Sequence, residues 1–216
     1  PLALPRPNPF IPDPGMPIIG SRERDPVIGP ALVPSGKGIS VWHKLDDAFG
    51  LPQVNLIFGF RSPVFDGTVK MDVALSLGLK LLHDAINEAA YEAGQAGFAY
   101  SAKGEDEVLV VRVSGYSDRL DAFLDLLAKG IAGFRVDPQR FAVIQEELWR
   151  EVAGQANKPA YWHAMQASGQ LLNRQRYPYS AALEAIKAVS ADAVQAVMDK
   201  WRAAFTVDVL AMGNID

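Results

Sequence analysis

"VALSLGLKLLHDAINEAA", residues 73–90, is the stretch on which the fold turns. Leu75, Leu79, Leu82 and Ile86 recur at spacings of four, three and four, the apolar stripe of an amphipathic helix. On either side the period is two. "GISVWHKL" (38–45) alternates Ile39, Val41 and His43 against Ser40, Trp42 and Lys44. "QVNLIFGFR" (53–61) puts Val54, Leu56, Phe58 and Phe60 on one face, with "DDAFGLP" (46–52) as turn material between the two strands. The helix is expected from about Val69 to Ala93, with Gly94 and Gly97 ending it. "GFAYSAK" (97–103) and "EVLVVRVSGY" (107–116) then form a hairpin across Gly104, Glu105 and Asp106, the second strand facing Leu109, Val111 and Val113 one way.

The remainder is mostly helical. Leu120, Phe123, Leu124, Leu127 and Ile131 make one stripe, and Phe141, Ile144, Leu148 and Val152 the next. The second opens with Asp137 as N-cap and Pro138 at the first helical position. Asp118, in the turn "SGYSD", is expected to cap the first. "PAYWHAMQASGQLL" (159–172) is a further helix, with His163 expected in core or interface packing between Tyr161, Trp162 and Met165. "SAALEAIKAV" (180–189) is short. "SADAVQAVMDKW" (190–201) takes Ser190 as N-cap and turns Val194, Val197, Met198 and Trp201 inward, and "TVDVLAM" (206–212) is a last strand. The order β-β-α-β-β-helices-β lacks the strict alternation of parallel βαβ units. It describes an α+β domain: a mixed, mainly antiparallel sheet with helices on one face.

The chain has 216 residues, 49% of them hydrophobic, enough for a sizeable core. Ten of the 15 prolines fall within residues 1–34. That composition reads as an extended linker or arm over residues 1–36, ahead of a single domain at 37–216. Phe10, Ile11, Ile18 and Ile19 suggest that the arm packs against something. The opening residues resemble neither a signal peptide nor an initiator methionine, as expected of a fragment cut from something longer. With 21 basic and 25 acidic residues and no block of like charge, neither a nucleic-acid nor a membrane partner is indicated. No apolar run has the length of a membrane span. Cysteine is absent, which excludes disulfides and thiolate chemistry and leaves the compartment open.

His43, His83 and His163 are the only histidines, and no two lie within five residues of each other. Neither H-E-x-x-H nor H-x-x-E-H can therefore occur, and there is no phosphate loop, dinucleotide fingerprint or G-x-S-x-G elbow. On a helix the partners of His83 are Leu79, Lys80, Ile86 and Asn87, three or four residues away. Asp84 and Glu88 fall off that face, so His83 reads as a structural histidine. His43 reads likewise, and Glu146 and Glu147 as a solvated helix face.

Seven segments, in order, resemble a known family: "PNPFIP", "VWHKLDDAF", "FGFRSP", "LLHDAINEAAYEAGQAGFAYSAK", "VLVVRVSGYSD", "RFAVIQEELWRE" and "LAMGNI". They look like the third of four homologous domains in insulysin/pitrilysin-type (insulinase-family) zinc metalloproteases. The resemblance implies an α/β roll of the metalloprotease and processing-peptidase kind, used four times per polypeptide. Residues 37–216 would be an inactive repeat of it, and "PNPFIP" the end of the linker between the two halves of the enzyme. It also implies a zinc cofactor in a different, catalytic domain, where H-x-x-E-H lies on the sister of the helix at 73–90. Here leucines take the inward positions of that helix, so no catalytic or metal residue carries over. Neither peptidase activity nor stoichiometric zinc is expected of these residues alone.

The implied partners are the other domains of the same polypeptide, a peptide substrate and, at cut interdomain surfaces, a second copy of the chain. A peptide could add to the edge strand at 97–103, with Phe98, Ala99, Tyr100 and Ser101 as the substrate-binding candidates. Alternatives are a scaffold subunit whose parent has lost catalysis, and a bacterial protease trimming a precursor peptide of the cofactor pyrroloquinoline quinone. A free-standing enzyme of this length is a third.

Overall fold

The computed structural model describes residues 6–20, 29–46, 48–105, 108–172 and 177–215. Six strands lie among them: β1 (Ala31–Val33), β2 (Ile39–Leu45), β3 (Gln53–Arg61), β4 (Ala99–Glu105), β5 (Val108–Tyr116) and β6 (Thr206–Gly213). They form one sheet in the order β1-β2-β6-β3-β5-β4, with β2 and β6 parallel and every other pair antiparallel. The helices are α1 (Val69–Gln95), α2 (Leu120–Gly133), α3 (Pro138–Gly154), α4 (Ala160–Leu172), α5 (Tyr179–Ala188) and α6 (Ala191–Ala203). This is the α+β architecture expected, with one strand more. β1 lies between Pro30 and Pro34, and all three of its residues are exposed. A short edge strand between prolines carries no alternation to read.

Period-2 side chains sort the sheet into two faces. Val54 and Leu56 of β3, Leu109, Val111 and Val113 of β5 and Ala211 of β6 are buried beneath the helices. The opposite face carries Trp42, Ile57, Arg61 and Asp208 around a shallow depression of about 630 Å³. Arg61 and Asp208 pair across its rim at 3.2 Å.

α1 is the central helix. Thr68 caps it, its hydroxyl accepting from the Met71 N–H at 3.3 Å, while Asp66 accepts from both the N–H and the hydroxyl of Thr68. Gly94 lies inside the helix, which ends at Gln95, two residues beyond the expected end. The chain leaves at Gly97, whose φ of 91° is open to glycine. At mid-helix, α6 approaches so closely that a Cβ on Gly78 would stand 2.5 Å from the Met198 sulfur. Val194, Met198 and Trp201 are fully or nearly fully buried there, and Ser190 caps α6 as expected. Asp137 caps α3, accepting from the N–H groups of Gln139 and Arg140.

Asp118 is not a cap. A 3-10 turn at Ser117–Arg119 precedes α2, and neither it nor α2 has a side-chain cap. The Asp118 carboxylate instead accepts from the Asp13 N–H at 2.9 Å and faces Arg119 at 3.6 Å. It serves the arm, which a local reading of the turn cannot see.

The arm is stitched to the domain along its described length. Phe10 is buried, edge-on to Phe98 at 6.2 Å and Phe123 at 6.1 Å. The Asn8 side chain donates to the Glu92 carbonyl at 2.6 Å. Asn214, 2% exposed, accepts from the Ile19 N–H and donates to the Pro17 carbonyl and the Ser117 hydroxyl. The division at residue 36 thus marks a change in composition, while packing and the β1–β2 pairing run across it.

Candidate functional site

β4 closes one end of the sheet. Among the described residues it pairs with β5 alone, Tyr100 opposite Val113 and Ala102 opposite Val111. The far edge of its backbone has no described strand beside it, so alternate N–H and C=O groups point outward.

The four candidate residues divide between the two faces. Phe98 is 4% exposed, its ring 4.9 Å from that of Phe123, so its side chain belongs to the core and cannot meet a ligand. The aromatic contact expected of it would require Phe98 to leave the core, because alternation turns it toward the helices with Val111 and Val113. Tyr100 also turns inward and is half-buried, its phenol oxygen hydrogen-bonded to His83 Nδ1 at 2.6 Å. Ala99 and Ser101 point the other way and are exposed. With Asn55, Ile57, Arg112 and Ser114 they line a depression of about 300 Å³ on the open face.

His83, exposed on α1, is therefore a partner of the β4 edge. Beside it, Asp84 takes a two-pronged bond from Arg140 of α3, at 2.7 and 2.5 Å. That bond, above all, holds the Asp84 carboxyl below its ordinary range. His43 lies on β2, its Nε2 donating to the Ile215 carbonyl at 2.8 Å, and His163 lies on α4. Among the described residues no three histidine, aspartate or glutamate side chains converge on a point that could hold a metal ion. Glu146 and Glu147 are exposed, Glu146 pairing with Arg150 one turn on. The described residues do not fit a zinc site, which needs three protein ligands around one point. What the edge can do is recognise extended backbone. No described helix is long and apolar enough to cross a membrane.

Burial pushes the Tyr100 phenol up to about 12. An unfolded phenol titrates near pH 10. Between these values the unfolded chain gives up a proton that the folded chain keeps. Stability from this group is therefore whole below about pH 10 and is lost as pH rises through about 12. Tyr100→Phe is expected to flatten that alkaline fall, measured by urea unfolding across the window. Tyr177 contributes to the residual slope, its phenol also being raised by burial and by the Asp72 carboxylate it bonds. At neutral pH the same variant costs about 0.5–1.5 kcal/mol for the lost His83 bond.

Sequence reasoning missed two features around the edge. The Asp84–Arg140 bond joins residues 56 apart, and nothing local signals it. Asn214, on which arm, turn and β6 converge, ends "LAMGN" with no sign of burial beyond its place after an apolar strand.

The family profile described as "Middle or third domain of peptidase_M16" matches residues 1–185. The chain is 27% identical to the Arabidopsis thaliana protein named insulin-degrading enzyme-like 1, peroxisomal, over 100% of its own length and 22% of that relative. It is 29% identical to human insulin-degrading enzyme over 98% of its length and 21% of the relative. The crystal structure of pitrilysin superposes over 99% of this chain and 22% of its own, with a TM-score of 0.86 at 19% identity, a likeness of fold. The chain thus spans about a fifth of the relatives that cover it. It belongs to the peptidase M16 family of zinc proteases, the insulinase and pitrilysin family, as its middle or third domain.

Proposed function

We propose that this domain is a non-catalytic wall of the substrate chamber of a zinc metalloendopeptidase, and that β4 receives the substrate's backbone. Zinc and the catalytic residues would then belong to another domain of the same polypeptide, which cuts peptides while this one holds them. The observation that carries the reading is the outer edge of β4, which no described strand covers. An extended peptide adds to such an edge through main-chain bonds, and side-chain pockets beside it supply selectivity. The depression beside Ala99 and Ser101 suits a side chain of the added strand, and Phe98 and Tyr100 stiffen the edge from beneath.

Hydrogen exchange tests it. In the full-length polypeptide, a saturating, uncleaved peptide is expected to slow the amides of residues 99–105 while leaving β1 unchanged. Unchanged exchange at β4 would remove the strand-addition reading.

A further inference from the structure

α4 is built inside out. Its partly buried side chains are His163, Gln166 and Gln170, at i, i+3 and i+7, and Gln170 donates to the Tyr177 carbonyl at 3.2 Å. At 100° per residue, Tyr161, Met165 and Leu172 fall within about 40° of one another on the opposite side. Tyr161 is 66% exposed, Met165 63% and Leu172 88%, with Trp162 and Leu171 flanking them at 39% and 88%. No residue of α4 is buried, and none from 160 to 172 carries a formal charge. A surface helix ordinarily turns its polar side outward. This one turns its polar side to its own domain and its apolar side away. A contiguous apolar patch of this kind marks a contact surface.

We propose that the Tyr161/Met165/Leu172 face of α4 is the seat of an interdomain contact, covered by an uncharged apolar face of another domain of the same polypeptide. The length of the relatives argues for that occupant. Those that match the domain end to end carry roughly four-fifths of their length elsewhere, and a neighbour tethered in the same way would stand at high effective concentration. Because α4 carries no charge, an apolar face can cover it without leaving an ion buried and unpaired. The proposal rests on membership as a middle domain and is independent of whether β4 binds peptide.

Hydroxyl-radical footprinting of the full-length polypeptide, without peptide substrate, tests it. Tyr161 is expected to oxidise roughly tenfold more slowly than an unstructured tyrosyl peptide added as a standard, at every protein concentration, as a covered side chain does. The double variant Met165→Glu and Leu172→Glu, both outward-facing, is expected to restore the rate with the circular dichroism of the protein unchanged. A rate for Tyr161 within about twofold of the standard overturns the proposal. Protection that survives the double variant also overturns it, because the cover then lies elsewhere. Protection that fades on dilution assigns the face to a second copy of the chain, and protection that appears only with added peptide assigns it to substrate. Either result replaces the occupant proposed.

Discussion

Phe123→Ala is expected to lower the unfolding free energy by about 3–5 kcal/mol, the upper range for a core substitution. Phe123 is 1% exposed, and its ring meets those of Phe10, Phe98 and Tyr100 at 6.1, 4.9 and 6.3 Å. These three come from the arm and from either side of the start of β4, so one ring on α2 joins segments that are distant in the chain. Its removal leaves a hole that none of them can fill without leaving another partner. The midpoint of urea unfolding should fall with the slope unchanged. Limited proteolysis should also reach the arm sooner, because Phe10 loses one of its two aromatic neighbours. A loss below about 1 kcal/mol, typical of an ordinary substitution, would mean that arm and strand collapse into the space.

Gly213→Ala should cost on the order of 3 kcal/mol or more, through backbone strain together with overpacking. Gly213 has a φ of 119°, and a Cβ there would stand 2.2 Å from the Gln53 carbonyl oxygen and 2.9 Å from the Val54 Cα. Both are main-chain atoms of β3, so no rotamer change relieves the overlap. The same Gln53 carbonyl accepts from the Asn214 N–H at 2.8 Å, so displacement disturbs the clamp that holds the arm. Gly94→Ala is the control. It lies in α1 with nothing within 4 Å of the new methyl, and should be stabilising by about 0.5–1 kcal/mol. Thermal unfolding of the two variants side by side decides the matter, and equal shifts would contradict the geometry.

α1 was legible because a stripe of Leu75, Leu79, Leu82 and Ile86 set between period-2 segments has one reading. Strand faces were legible for the same reason, and β4 shows how far that goes. Phe98 points inward because the strand beside it turns Val111 and Val113 inward, a register the hairpin implies. Strand neighbours were not legible. Nothing in "TVDVLAM" says that it lies between β2 and β3, since pairing is set by tertiary packing. α4 shows another limit. Periodicity identifies an apolar face but not what covers it, and His163, close to Tyr161 and Met165 in sequence, is half-buried. It lies on the opposite side of the helix from them. Asp118 reads locally as a cap because the residue it serves, Asp13, is 105 positions away.

The place of β6 bears on how the domain is made. The last of the described strands in chain order is a central one, parallel to β2 on one side and antiparallel to β3 on the other. A chain emerging from the ribosome can form α1 and the β4–β5 hairpin early, because those contacts are local. It cannot join β2 to β3 until residues 206–213 have appeared. Until then β2 and β3 each present an open edge, the state most exposed to mispairing during translation. The nascent domain is therefore expected to depend on chaperone protection until synthesis has passed β6, and a pause placed just upstream of it should lower the yield of folded protein.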